Sequence, residues 1–179
     1  NLSGVDLRLA NLEDANFSET NLSGADLSGI DLRLTNLSEA YFRGANLRGV
    51  DLRGTNFSNL NLSGVDLSGA ILEDAKIRYA NLSDSILEDA YLSGADLSGA
   101  DLSGATLEDA KLVGVNLSRA TLEGTSLVGV DLRGANFTGA ASSPERCFDP
   151  RANLKIIFWS RKWLHTNTNT ITWNQLWCP

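Results

Sequence analysis

A five-residue repeat runs through most of this chain. From Tyr91 to Ala110 the sequence reads YLSGA DLSGA DLSGA TLEDA, with Leu second in every block and Ala last. Cut into fives from Asn1, the chain gives 28 unbroken blocks that end at Ala140. The second position is Leu in 23 blocks, Phe in four and Ile in one, and all 16 glycines occupy the fourth position. Such a fixed period indicates a solenoid of stacked repeats.

The period of five excludes a long helix and a long strand. An α-helix turns by about 100° per residue, so successive second positions would be spread around its axis. In a continuous strand, an odd period would send successive Leu side chains to opposite faces. The block fits a short extended edge followed by a corner, in which Leu102 points inward, Asp101 points outward and Ser103-Gly104 turn the chain. If each corner is close to a right angle, four blocks close a coil of 20 residues and the 28 blocks give seven coils.

The fourth position carries the turn. Glycine there suits the positive φ of a type II turn. Twelve blocks carry another residue at this position. We expect those blocks to use a different turn, so that the corners differ in shape.

These blocks resemble the pentapeptide repeat, Ala-(Asp/Asn)-Leu-X-X, and over residues 1–140 the chain is similar to pentapeptide repeat proteins. The resemblance implies an all-β fold, a right-handed quadrilateral parallel β-helix, here of about seven coils. It also implies a family that is common in cyanobacteria and whose functions are mostly unassigned. A few members of that family resemble B-DNA in shape and charge and act on DNA gyrase.

Residues 141–179 form a tail of different composition. The tail contains all four Trp residues, Cys147, Cys178 and the only His, His165. Its run KIIFWSRKWL, which starts at Lys155, is compatible with a helix or a strand. Because the last coil of a solenoid exposes apolar side chains and unpaired backbone groups, we expect the tail to cap it, with a dimer contact and disorder as the alternatives.

The first coil also presents an apolar end. We expect an end-to-end partner there, so a homo-oligomer could form through a coil end or through the tail. The side chains concerned are Leu2, Leu7, Leu12 and Phe17.

The sequence shows no constellation for catalysis, metal binding or cofactor binding. Two Cys residues and one His are too few for a metal framework. The Asp residues of the repeat face solvent, without an apolar pocket that would shift their pKa values. We therefore expect no catalytic residue, no metal site and no cofactor. The chain has no apolar run of transmembrane length and no signal peptide, which argues against a membrane partner and favours a cytoplasmic location.

Two functional hypotheses follow from the outward positions, and the first is a rigid rod that binds a protein partner. Large apolar residues are rare at these positions, and in a four-block coil Ile71 and Tyr91 are stacked neighbours with Ile86 on the adjacent face. Together with one further outward aromatic residue, they form the candidate interaction surface: Tyr41, Ile71, Ile86 and Tyr91.

The second hypothesis is DNA mimicry, in which carboxylates take the place of phosphates. Four carboxylates stack at one corner and form the candidate acidic patch: Glu88, Asp89, Glu108 and Asp109. Residues 1–140 carry 20 acidic and 10 basic side chains, a net charge of −10, which argues against direct nucleic-acid binding. Because Arg43, Arg48 and Arg53 occupy three consecutive corners and interrupt the acidic surface, we prefer the protein-binding rod.

Overall fold

The computed structural model describes residues 1–141, which form a solenoid held by single-residue parallel β-bridges. Each bridge joins two first-position residues that are 20 residues apart, from Asp6 with Asp26 to Asn116 with Asn136, and a last bridge joins Thr121 to Ala141. Within residues 1–141 there is no α-helix and no bridge extends into a longer strand. Four blocks therefore complete one turn of the chain.

The bridges form four ladders, one for each block of a turn. Tyr41 lies on the first ladder and Ile86 on the second. Ile71 and Tyr91 lie on the third ladder, and Lys76 and Asp96 lie on the fourth. The chain passes the ladders in this order. The first and third ladders therefore lie two blocks apart, whereas the second and third are neighbours.

Backbone hydrogen bonds repeat with the same 20-residue spacing. The N–H of Leu82 donates to the carbonyl of Asp101 at 2.7 Å, and the N–H of Asn81 donates to the carbonyl of Leu60 at 3.0 Å. Within the block, the N–H of Ser85 donates to the carbonyl of Leu82 at 3.2 Å and closes a turn across the corner. This edge is thus bonded to both neighbouring turns, which satisfies backbone groups that burial would otherwise leave unpaired.

The corners are more uniform than the sequence predicts. All 16 glycines have φ between 63° and 74°, and ten of the twelve other fourth-position residues have φ between 56° and 65°. The expectation of a different turn is therefore wrong for these ten residues, Arg119 and Tyr79 among them. Left-handed backbone costs a non-glycine residue about 1–2 kcal/mol. At eight of the ten residues, all except Asp14 and Glu39, a hydrogen bond from the N–H to the next turn holds this conformation in place. Of the fourth positions, Leu9 and Leu34 do not have a positive φ.

The second-position side chains form the core. Of the 28, 26 are buried, and Leu2 and Leu7 in the first turn are partly buried. Small fifth-position residues such as Ala100 fill the space between them. Phe42 and Phe57 meet edge to face, with ring centroids 5.9 Å apart and planes at 78°. Burial of a Leu side chain contributes about 2 kcal/mol, so this column stabilises the solenoid along its whole length.

Asn and Asp at the first position stabilise the corner that follows. The Oδ1 of Asn81 accepts hydrogen bonds from the N–H of Ser83 at 2.9 Å and from its hydroxyl at 2.7 Å. Asn also bonds along a ladder, since the Nδ2 of Asn116 donates to Oδ1 of Asp96 at 2.9 Å. Short polar side chains that bond the backbone two residues on are typical of turns, which explains the sequence preference.

The predictions for residues 142–179 lie outside the described residues. They comprise the cap or dimer contact, the structure of KIIFWSRKWL, and the expectation that Cys147, Cys178 and His165 form no metal framework. The ladder does include Ala141, whose N–H donates to the carbonyl of Ala120 at 2.8 Å. The division of the chain into a repeat domain, 1–140, and a tail, 141–179, stays a prediction.

Candidate interaction surface

The structure brings three of the four candidate apolar residues together. Ile71 and Tyr91 are directly bridged on the third ladder, and Ile86 lies on the neighbouring second ladder. Tyr91 is 46% exposed and Ile86 is 37% exposed, whereas Ile71 is partly buried. Tyr41 lies on the first ladder, two blocks away around the turn. The four residues therefore do not form one continuous surface.

The candidate acidic residues lie next to this apolar group. Glu88 and Asp89 follow Ile86 in the same block and come just before Tyr91, so they occupy the corner between the second and third ladders. Glu108 and Asp109 occupy the same corner one turn later, and the N–H of Asp89 donates to the carbonyl of Glu108 at 2.9 Å. All four side chains are exposed. We call Glu88, Asp89, Glu108 and Asp109 the acidic corner.

The acidic corner is not neutralised by its surroundings. From Tyr79 to Ala110 the chain has seven carboxylates and no Lys or Arg. None of the eight ion pairs found in residues 1–141 involves the acidic corner. The nearest cation along the chain, Lys111, donates to the backbone carbonyl of Asp109 at 2.7 Å, and the hydroxyl of Ser126 donates to Oε1 of Glu108 at 3.2 Å. The corner therefore presents four exposed carboxylates that form no ion pair within residues 1–141, with the Lys111 ammonium group beside Asp109.

Seven of the other sixteen carboxylates in residues 1–140 are paired with Arg. In the four blocks that begin Asp-Leu-Arg, the Arg guanidinium contacts the Asp of its own block at 2.5–2.6 Å. The side-chain hydrogen bond from Arg33 is the main cause that lowers the pKa of Asp31 to about 2, and Arg8 lowers the pKa of Asp6 to about 2 in the same way. These Asp residues are locally compensated, in contrast to the acidic corner.

The three Arg residues at consecutive corners share one turn, residues 41–60. Two of them are in ion pairs: Arg53 contacts Asp51 at 2.6 Å, and Arg48 contacts Asp66 on the next turn at 3.0 Å. The basic side chains of this turn therefore separate the acidic corner from the acidic residues nearer the start of the chain.

No group of three or more His, Cys, Asp or Glu side chains in residues 1–141 is placed to hold a metal ion. Nor does the described part of the chain contain a helix that is long and apolar enough to cross a membrane. The expectations of no catalytic residue, no metal site, no cofactor and a cytoplasmic location stay predictions.

A second surface feature was missed by reasoning from the sequence. Tyr41 lies beside a groove lined by residues 38–41, 56 and 58–61. The available signal was Leu60, which occupies a fifth position where nearly all blocks carry a small residue.

A chain whose successive turns are joined by parallel bridges belongs to the class of β-solenoids. The family model described as "Pentapeptide repeats" matches this chain in eight copies, over residues 1–33, 35–74, 70–109 and 100–139. The chain belongs to the pentapeptide repeat family, and its fold is the right-handed β-helix of that family.

The chain is also similar to solved structures of this family. HetL, a pentapeptide repeat protein involved in heterocyst differentiation regulation from the cyanobacterium Nostoc sp. strain PCC 7120, is 27% identical over 81% of this chain and 89% of its own, with a TM-score of 0.37. Rfr23 from the cyanobacterium Cyanothece 51142 is 30% identical over 79% of this chain and 95% of its own, with a TM-score of 0.39. A pentapeptide repeat protein of the Arabidopsis thaliana thylakoid lumen is 38% identical over 54% of this chain and 71% of its own, with a TM-score of 0.35. No curated protein matches the chain significantly.

Proposed function

We propose that this protein is a non-enzymatic rigid rod that binds a protein partner through Ile71, Ile86, Tyr91 and the acidic corner. The rod consists of about seven quadrilateral coils over residues 1–140, followed by a tail that caps the last coil or joins two copies. The observation that supports this function is the position of two exposed apolar side chains, Ile86 and Tyr91, on either side of uncompensated carboxylates.

This combination defines the chemistry of the partner. Exposed apolar side chains clustered on a polar surface are typical of interaction sites, and an aromatic ring such as that of Tyr91 offers a large contact area and a polar end. Four carboxylates beside it attract and orient a basic partner. The partner segment therefore carries an apolar residue flanked by Lys or Arg. Direct binding of nucleic acid is not proposed, because the same charge repels phosphates.

A peptide array can test this proposal. Peptides of one length would vary independently in the number of Lys and Arg residues and in the presence of a central Leu or Phe. We expect the protein to select peptides that have both features, with binding that weakens as salt concentration rises. The double variant Ile86→Ser/Tyr91→Ser and the variant Glu88→Gln/Asp89→Asn should each lose this selection.

The matched control is Tyr41→Ser, which removes an exposed Tyr from the same block position on another ladder. This variant should select the same peptides as the unaltered protein. Selection of basic peptides regardless of the apolar residue, unchanged in the Ile86→Ser/Tyr91→Ser variant, would contradict the proposed surface.

The second candidate function is DNA mimicry directed at DNA gyrase or at another DNA-binding protein. The stretch with seven carboxylates and no Lys or Arg favours it. Against it, the Arg residues of the turn 41–60 and the paired Asp residues of the Asp-Leu-Arg blocks break the negative surface along the rod. We expect no inhibition of gyrase supercoiling at micromolar protein. Inhibition that disappears when the four residues of the acidic corner are neutralised would favour the mimic over the protein-binding rod.

A further inference from the structure

Within residues 1–141, bridges between residues 20 apart are missing in the first turn, at Asn1–Asn21 and Asn11–Asp31, and again further along the solenoid. On the fourth ladder, Asn16 bridges Asn36 and Asn56 bridges Lys76, but within the described residues no bridge joins Asn36 to Asn56. The adjacent first ladder has the same gap, since Asn21 bridges Tyr41 and Asn61 bridges Asn81 without a bridge from Tyr41 to Asn61. Two neighbouring bridges are thus missing on the two sides of a single corner.

The interruption leaves backbone groups unpaired on both sides. Among residues 1–141, no backbone hydrogen bond is made by the N–H groups of Leu37, Glu39 and Phe42. The carbonyl groups that would accept these three N–H groups are those of Asn56, Ser58 and Asn61, and they receive no backbone hydrogen bond from residues 1–141 either. One turn further on, the equivalent bonds are intact: the N–H of Phe57 donates to the backbone carbonyl of Lys76 at 2.7 Å, and the N–H of Leu62 donates to that of Asn81 at 2.7 Å. The gap therefore does not continue into the next turn.

Large core side chains explain the separation of the two turns. Leu60 replaces the usual small fifth-position residue in the core of the turn that also holds Phe42 and Phe57, whose rings pack edge to face. Ile30 is the other large aliphatic residue at a fifth position. Among residues 1–141, no backbone hydrogen bond is made by the N–H of the residue that follows either one, Asn61 after Leu60 or Asp31 after Ile30. At both large fifth-position residues, Leu60 and Ile30, the following backbone N–H thus lacks its bond to the previous turn.

The opened corner forms a groove of about 480 Å³. This volume lies within the range of roughly 300–1,000 Å³ that is typical of small-molecule sites. Six of the nine lining residues have polar side chains, and one exposed aromatic ring, that of Tyr41, is 56% exposed. The polar members are Ser38, Glu39, Asn56, Ser58, Asn59 and Asn61.

Tyr41 also changes what Asn61 can do. Four Asn residues donate from Nδ2 to the Asn or Asp that lies 20 residues earlier on the ladder, as Asn116 does to Asp96 at 2.9 Å. Asn61 has Tyr41 at that place, which offers no amide or carboxylate oxygen. The Oδ1 of Asn61 already accepts the N–H of Ser63 at 3.1 Å, so its Nδ2 is the group that remains for a ligand.

We propose that this groove binds a neutral saccharide. Unpaired N–H groups on one side and unpaired carbonyls on the other require a ligand that donates and accepts, and each sugar hydroxyl does both. The aromatic face of Tyr41 suits the apolar C–H face of a sugar ring. Glu39 is the only charged residue of the lining, so the groove does not favour an anion. It spans a single corner, which is too short for an added peptide strand.

Amide-resolved NMR of the full chain tests this proposal with cellobiose, maltose and chitobiose as probes. We expect millimolar affinity for at least one of them, with chemical-shift changes confined to residues 37–42 and 56–61. Hydrogen exchange adds a second readout. The amides of Leu37, Glu39 and Phe42 should exchange faster than those of Phe57, Asn59 and Leu62, and the saccharide should slow the first group only.

Two variants and one control complete the test. Tyr41→Ala should weaken saccharide binding about tenfold, the loss expected for an aromatic contact of this size. Leu60→Ala should allow the bonds between the turns to form, so the amide of Asn61 should become protected and binding should be lost. Tyr91→Ala removes an exposed Tyr from the same block position away from the groove and should leave binding unchanged.

Three results would overturn the proposal. The first is no shift with any of the three disaccharides, and the second is shifts that Tyr41→Ala and Tyr91→Ala reduce equally. The third is binding of tetramethylammonium, but of no saccharide, that Glu39→Gln abolishes. That result would assign the groove to a cationic ligand instead. None of these outcomes bears on Ile86, Tyr91 and the acidic corner, so the proposed protein-binding surface is tested separately.

Discussion

The ring of Tyr79 lies against Gly99, 20 residues further along the chain, so that a Cβ at Gly99 would overlap the ring carbons Cδ1 and Cε1. Both residues occupy fourth positions and both have positive φ, 56° at Tyr79 and 70° at Gly99. A side chain at one corner therefore restricts the residue at the same corner of the next turn. The Arg78 guanidinium carbon also lies 5.9 Å from the centre of this ring.

Gly99→Ala should be more destabilising than a glycine substitution at an open corner. We expect a loss of about 2–4 kcal/mol, because left-handed strain and the overlap with Tyr79 act together. Gly64→Ala is the control, since Gly64 has φ 64° and no atom within 4 Å of an added Cβ. It should cost about 1–2 kcal/mol from backbone strain alone. Urea unfolding followed by circular dichroism measures both, and equal losses would show that the ring of Tyr79 moves aside freely.

Leu82→Ala should lower the free energy of unfolding by about 2–5 kcal/mol, because it leaves a cavity in the core column. Leu82 is fully buried, with 0% of its surface exposed. The control is the adjacent Ser83→Ala, which removes a partly exposed hydroxyl bonded to Asn81 at 2.7 Å and should cost at most about 1 kcal/mol. Comparable losses for the two variants in thermal and urea unfolding would contradict the inward position of Leu82.

Substitution by glycine at the fourth position should have opposite effects at two sites. Arg119→Gly should stabilise the protein by about 0.5–1 kcal/mol, because φ at Arg119 is 60° and glycine removes the strain of a left-handed backbone. Leu34→Gly should destabilise it by about 0.5–1 kcal/mol, since Leu34 does not have a positive φ and gains only backbone freedom in the unfolded state. The midpoints of urea unfolding measure both changes. A change in stability of the same sign for both variants would contradict the assignment of a left-handed backbone to Arg119 and not to Leu34.

The Asp31–Arg33 pair should produce a measurable pKa shift. In the folded protein the Asp31 pKa lies near 2, below its ordinary value of 3.8, mainly because of the side-chain hydrogen bond from Arg33. Because the folded-state pKa is lowered, the pair stabilises the fold above pH 4, and this contribution is lost as the pH falls from 4 to 2. The pair is exposed, so we expect a small effect on stability and a clear effect on titration.

Carboxyl-carbon NMR should give an Asp31 midpoint near pH 2 in the unaltered protein. Arg33→Gln should raise that midpoint toward 3.8, and Asp51, which lies 3.5 Å from Nε of Arg33, should move less because Arg53 is its main partner. Arg119→Gln is the control and should leave the Asp31 midpoint in place. An Asp31 midpoint near 3.8 before any substitution would show that the pair does not form in solution.

The sequence by itself determined the solenoid and its core. The period of five, with Leu82 and its equivalents always second, leaves one way to bury every apolar side chain, and it places Ile71 beside Tyr91 once four blocks form a turn. The sequence also predicts that Ile86 lies next to the acidic corner, because Glu88 and Asp89 belong to the same block as Ile86.

Only the tertiary structure decided the conformation of the corners and the position of the groove. The left-handed backbone at Tyr79 and Arg119 contradicts local preference, and hydrogen bonds to the neighbouring turns, which no single block reveals, hold it. The groove beside Tyr41 depends in the same way on contacts between turns. Within its own block Leu60 is only a larger aliphatic residue. The missing bridges occur at the turn where Leu60 shares the core with Phe42 and Phe57, and close packing makes the volumes of residues that are far apart in sequence act together.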